Sequence, residues 1–76
     1  MESKTLDARG PRCPLPVLKA RKALKDVADG EILHVLATDP GAVKDFEAFC
    51  RTTGHRLIEV HEADGVYDFA IAKTPR

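Results

Sequence analysis

The chain has no tryptophan, one tyrosine, three phenylalanines and one methionine in 76 residues. Single-stranded nucleic acid is held on platforms of stacked aromatic side chains, and an aromatic content of 5% offers no visible platform. Formal net charge is zero, so no overall field draws the protein to a polyanion or to an anionic membrane. The N-terminal Met1-Glu2-Ser3-Lys4 carries no apolar run. Neither a secretory signal nor a span of about 20 apolar residues is expected. Cysteine is scarce too, with only Cys13 and Cys50. Two thiols and no export signal argue against a disulfide framework and for a reducing cytoplasm. Neither thiol stands at metal-ligand spacing with His34, His55 or His61, so a structural zinc site is not expected. No glycine-rich phosphate loop, Ser/His/Asp set, repeat or low-complexity linker is found, and no cofactor is expected.

What is present describes one ordinary globular domain over residues 1–76, with 43% hydrophobic and 32% charged residues and room for one modest core. The zero net charge conceals an uneven distribution. Residues 1–25 hold seven basic side chains (Lys4, Arg9, Arg12, Lys19, Arg21, Lys22 and Lys25) against Glu2 and Asp7. Residues 26–76 hold five basic and ten acidic ones. Such asymmetry points to an interaction surface.

Residues 4–8 read as a short strand, broken by Gly10-Pro11. A helix is predicted over about 14–27, with Val17, Ala20, Leu24 and Val27 recurring on its core side. Lys19, Arg21, Lys22 and Lys25 fall on its other sides, and Gly30 is the expected stop. Residues 31–38 predict an interior strand with apolar residues on both faces and His34 as a strand residue rather than a ligand. Asp39 as N-cap and Pro40 as first residue open a second helix. Its inward stripe is Val43, Phe46, Phe49, Cys50 and Thr53, and Gly54 ends it. A third strand over 55–62, with Ile58 and Val60 on one face, leads to an Asp64-Gly65 type I′ turn. A fourth strand over 66–73 alternates Tyr67, Phe69 and Ile71 against Asp68, Ala70 and Ala72. The order βαβαββ predicts an α/β (α+β) fold: a two-layer sandwich of a four-stranded mixed sheet with two helices on one face. A right-handed crossover from the first strand to the second would open the loops after both onto the same edge.

The chemistry concentrates in Gly10-Pro11-Arg12-Cys13-Pro14-Leu15-Pro16, where the first strand gives way to the first helix. If Cys13 is the N-cap, Pro14 and Pro16 remove only N–H groups that a helix start leaves unpaired. Against that register, Leu15 precedes a proline and so avoids the α region, which could move the start towards Pro16. In either register the sulfur faces a stiff helix N-terminus, with Arg9 and Arg12 in the same loop. Such surroundings lower a thiol pKa from about 8.5 and favour the nucleophilic thiolate. Cys50, on an apolar helical stripe, reads as a packing residue.

Leu6-Asp7-Ala8-Arg9-Gly10-Pro11-Arg12-Cys13-Pro14-Leu15-Pro16 resembles the signature of the TusA/SirA family of small sulfur-carrier proteins. The likeness continues through Thr38-Asp39-Pro40 and 45–50 to Asp64-Gly65. The resemblance implies the same two-layer sandwich, and a carrier loaded by a cysteine desulfurase or rhodanese-like donor. It also implies an acceptor protein in tRNA thiolation, cofactor synthesis or sulfur oxidation. Residue chemistry points the same way: a thiolate without a neighbouring base can exchange sulfur, becoming a persulfide and passing it on as a sulfurtransferase relay. Cys13 is then the catalytic residue, supported by Arg9, Gly10, Arg12, Pro14 and Pro16. Lys19, Arg21 and Lys22 are the candidate partner-docking residues. The alternative is a nucleic-acid-binding or regulatory module using the basic first helix, which the missing aromatics and zero net charge oppose. Neither membrane association nor direct nucleic-acid binding is expected.

Overall fold

A computed structural model of the chain describes residues 3–10 and 15–74. Six elements follow in the predicted order: β1 (Ser3–Asp7), α1 (Leu15–Leu24), β2 (Ile32–Ala37), α2 (Ala42–Thr53), β3 (Arg56–Ala63) and β4 (Val66–Ala72). The strands form one four-stranded sheet in the order β1-β2-β4-β3. β1 runs parallel to β2, while β4 pairs antiparallel with both β2 and β3. This is the mixed α/β sandwich that the element order predicts.

Alternation within β2 shows which face the helices cover. Leu33, Val35 and Ala37 are buried, while Ile32, His34 and Leu36 between them stay half-exposed. β2 is therefore interior in the plane of the sheet but covered on one side only, and its second apolar face is partly open. Against the covered face pack Ala20, Leu24 and Val27 from the first helical segment and Ala42, Phe46, Phe49 and Cys50 from α2. Phe46 lies at the centre. Its ring stacks on Phe69 of β4 at 4.5 Å between centroids and meets Phe49 nearly edge-on at 6.4 Å. Offset and edge-to-face contacts of this kind add to the area each ring removes from water.

Element ends depart from expectation in four places. α1 stops at Leu24 rather than near Val27. The amides of Lys25, Asp26 and Val27 turn back to the carbonyls of Lys22, Ala23 and Leu24 in tighter i→i+3 bonds, yet Val27 stays buried. Gly30 is not the helix stop. Its positive φ of 86° lets the chain enter β2, and its N–H bonds the Lys73 carbonyl at 2.8 Å. α2 begins at Ala42, two residues later than Pro40, with Gly41 at the cap position. Asp39 instead makes a local turn, its carboxylate accepting the Gly41 N–H at 3.1 Å and its carbonyl the Ala42 N–H at 3.0 Å.

β3 departs furthest. As an edge strand it leaves Ile58 53% and Val60 39% exposed, and a bulge between Leu57 and Glu59 interrupts its alternation. The Asp64-Gly65 turn has positive φ at both positions, as a type I′ turn requires.

Burial separates two apolar deletions. Phe46→Ala should cost about 3–5 kcal/mol, a large share of a small domain's stability. Ile58→Ala, at an exposed edge, should cost under about 1 kcal/mol. Urea midpoints of the two variants test this, and similar losses would contradict the placement of Phe46 at the core centre.

Candidate functional site

The parallel pairing of β1 with β2 carries both chains out of the sheet side by side. Beyond the last strand pair, Asp7 with Leu36, the Ala8 N–H bonds the Leu36 carbonyl at 2.8 Å. Two residues on, the Gly10 N–H bonds Thr38 Oγ1 at 3.0 Å. The strand exits at Gly10 and Thr38-Asp39 therefore share one edge of the sheet, as the topology predicts. Gly10 holds φ at +99°, a conformation that side chains rarely adopt. Thr38 is the anchoring residue that sequence reasoning passed over. Its signal was a hydroxyl one residue past the end of a strand parallel to β1.

Asp7, the last residue of β1, organises the exit. Its Oδ1 accepts both the backbone N–H of Arg9 at 3.1 Å and the guanidinium Nε at 2.9 Å, while Oδ2 accepts Nη2 at 2.8 Å. These bonds, with weaker attraction from Lys19, hold the Asp7 carboxyl down to about 2, and the pair holds the Arg9 pKa up. Arg9 thus brings a balancing negative charge with it. Arg9, one of the two loop cations expected to support the site, is a paired one.

Cys13, Arg12 and Pro14 lie outside the described residues, in the segment between Gly10 and Leu15. Leu15 opens α1, and Pro16 is fully buried, so this proline seats the helix start in the core. Lys19, Arg21 and Lys22 are exposed on α1. Leu15 and Leu18 are also exposed, at 48% and 52%, so α1 presents apolar as well as basic side chains. A groove of about 330 Å³ runs between α1 and α2, lined by Val17, Leu18, Arg21, Asp45 and Phe49 among others. Cys50 is buried in the core, and burial pushes its thiol pKa up. It is an inert packing thiol. Among the described residues no group of three or more His, Cys, Asp or Glu side chains is placed to hold a metal ion. No described helix is long and apolar enough to cross a membrane.

A small α/β sandwich whose first strand and first helix are joined by a proline-flanked cysteine defines a class of sulfur-handling domain. The chain belongs to the TusA family: the family described as sulfurtransferase TusA matches residues 4–73. It is similar to the sulfur carrier protein TusA of Allochromatium vinosum, 52% identical over 69 residues that cover 91% of each chain. It is also similar to the sulfur carrier protein TusA of Buchnera aphidicola, 31% identical over 74 residues, 97% of this chain and 94% of the relative. The crystal structure of a SirA-like protein from Desulfitobacterium hafniense superposes with a TM-score of 0.82 at 30% identity. That likeness covers 95% of this chain and 99% of the other. The protein is thus a member of a sulfur-carrier family with that family's fold.

The Asp7–Arg9 pair has a pH signature. A carboxyl whose pKa falls from 3.8 to about 2 on folding stabilises the native state above pH 4, and that contribution is lost as pH falls towards 2. Both side chains are exposed, so the effect is small and salt-sensitive. Asp7→Asn should flatten the fall of urea midpoint between pH 4 and pH 2 relative to the parent chain. An unchanged slope would show that the pair does not persist in solution.

Proposed function

We propose that the protein is a cytoplasmic sulfurtransferase relay that carries sulfane sulfur on Cys13. Its thiolate attacks the outer sulfur of a donor persulfide. The Cys13 sulfur–sulfur bond forms as the donor's own sulfur–sulfur bond breaks, and the donor cysteine leaves as a thiolate. Nothing is oxidised or reduced overall, so neither cofactor nor external oxidant enters the step. In the second half the same exchange runs from Cys13 to an acceptor thiolate. The donor is a cysteine desulfurase or a rhodanese-like protein. The acceptor serves tRNA thiolation, cofactor synthesis or sulfur oxidation.

The observation that carries this reading is the anchoring of the Cys13 segment at both ends. Gly10 is tied to Thr38 on one side, and buried Pro16 seats the helix on the other. Only five residues, 11–15, separate these two anchors, and Cys13 is the central one. Arg12, Pro14 and the α1 N-terminus favour the thiolate in this reading. Exposed Leu15 and Leu18 supply an apolar contact at the head of α1, and Lys19, Arg21 and Lys22 the rim charges that steer an acidic partner face.

Intact mass spectrometry after incubation with a cysteine desulfurase, its cofactor and cysteine reads the loading directly. The parent chain should gain about 32 Da, one sulfur atom. Cys13→Ser should gain nothing, whereas Cys50→Ala should still load; loading by Cys13→Ser would overturn the assignment. Docking is read separately. Lys19→Glu with Lys22→Glu should slow loading from a donor protein about tenfold at low salt while leaving alkylation by a small neutral reagent nearly unchanged. Equal loss in both assays would refute a docking role.

A further inference from the structure

The edge of the sheet opposite β1 carries a second surface. β3 is the outer strand, eight residues long, with neither proline nor lysine among its residues. Short length, proline, charged side chains (lysine above all) and bulges are the usual guards of a sheet edge. β3 has a bulge at Leu57/Glu59 and charges at Arg56, Glu59 and Glu62, and beyond the bulge residues 59–63 form an unbroken run paired with 70–66 of β4. The covered and open faces alternate along this run. Val60 lies opposite buried Phe69, on the helix side, while Glu59 and His61 lie opposite Ala70 and Asp68 on the open side.

We propose that β3 pairs antiparallel with β3 of a second copy of this chain, with Val60 on the two-fold axis. Five registers, one centred on each residue of this run, keep both sets of helices on the same side of a joined sheet. Centring on Glu62 sets two carboxylates against each other, and centring on Ala63 sets Glu62 against Asp64. Centring on Glu59 sets two carboxylates against each other and falls on the bulge. Centring on His61 stacks the two imidazoles and sets Val60 against Glu62. Centring on Val60 sets Val60 against Val60 on the helix side, and on the open side Glu59 against His61 twice over. Imidazole N–H groups then meet carboxylates across the new ladder, which makes it the one complementary register of the five. The pairing also extends a polar row already built. The His34 ring nitrogen Nδ1 lies 3.1 Å from Asp68 Oδ1, His61 stands opposite Asp68, and the partner's Glu59 would follow. In the isolated chain these side chains border a hollow of about 150 Å³ above the small Ala70. The sheet order places β1 at the opposite edge, away from the paired strands.

Two measurements test the proposal. Sedimentation of the full chain under reducing conditions, from micromolar to millimolar, should show a weak monomer–dimer equilibrium, as a small interface implies. Val60→Glu, which sets like charges on the axis, should weaken it at least tenfold. A chain that stays monomeric to millimolar concentration overturns the proposal and leaves the edge to another kind of occupant. So does association indifferent to Val60→Glu. Register is read by cross-linking in a Cys13→Ser, Cys50→Ala background. Directly opposed residues lie about 4.5–5.5 Å apart at Cα, within disulfide reach. Val60→Cys should therefore oxidise to dimer at least tenfold faster than Glu62→Cys, whose partner position lies about 13 Å along the strand. Equal rates overturn the register.

Discussion

Parallel pairing of β1 with β2 is the constraint from which the rest follows. Two parallel neighbours cannot be joined by a tight turn, so the chain must cross over, and α1 is that crossover. The pairing continues past the strands, from Ala8 to Leu36 and then from Gly10 to the Thr38 hydroxyl. Those two bonds set the strand exits side by side. Pro16, buried at the head of α1, anchors the helix that follows. The proposed site falls in the stretch of chain between these two anchors.

Placing both helices on one face explains the division of the remaining surface. The covered face is closed by Phe46, whose ring meets both Phe69 and Phe49, along with Leu33, Val35 and Ile71. Each fully buried side chain of this size contributes roughly 1.5–3 kcal/mol by leaving water, against which the chain's ordering entropy must be set. The open face keeps Ile32 and Leu36 half-exposed beside the polar pair of His34 and Asp68. A two-layer fold of this length cannot cover both sides of its sheet, so that face and the β3 edge remain available.

Charge at the candidate site is more local than the basic N-terminal third of the sequence implies. Arg9 is matched by Asp7 in a bidentate pair, which makes the strand exit neutral and stiff. The basic character moves to the exposed face of α1, beside Leu15 and Leu18. Such a division suits the relay proposed above, which would meet proteins through the helix flank and react at the loop. Persulfide exchange asks for thiolate character, access and a good leaving group, and none of these calls for a proton relay.

The strand and helix order, the one-sided core and the Asp64-Gly65 turn were all legible in the sequence, because each is written in local periodicity or in a backbone conformation few residues tolerate. Family membership was legible in the Leu6–Pro16 stretch for a related reason, since a cysteine between prolines at a strand-to-helix junction is a local pattern. Element ends were less so. Asp39 has the chemistry of an N-cap but spends its carboxylate on Gly41, and α1 yields to tighter turns after Leu24, because the chain has to reach the next strand. The pairing of Asp7 with Arg9, the anchoring of Gly10 by Thr38 and the exposure of Ile58 and Val60 were beyond local pattern. They depend on which strands become neighbours and which strand is left at the edge. Hydrophobic spacing names the face of a strand, but only the closed tertiary structure decides whether another layer covers it.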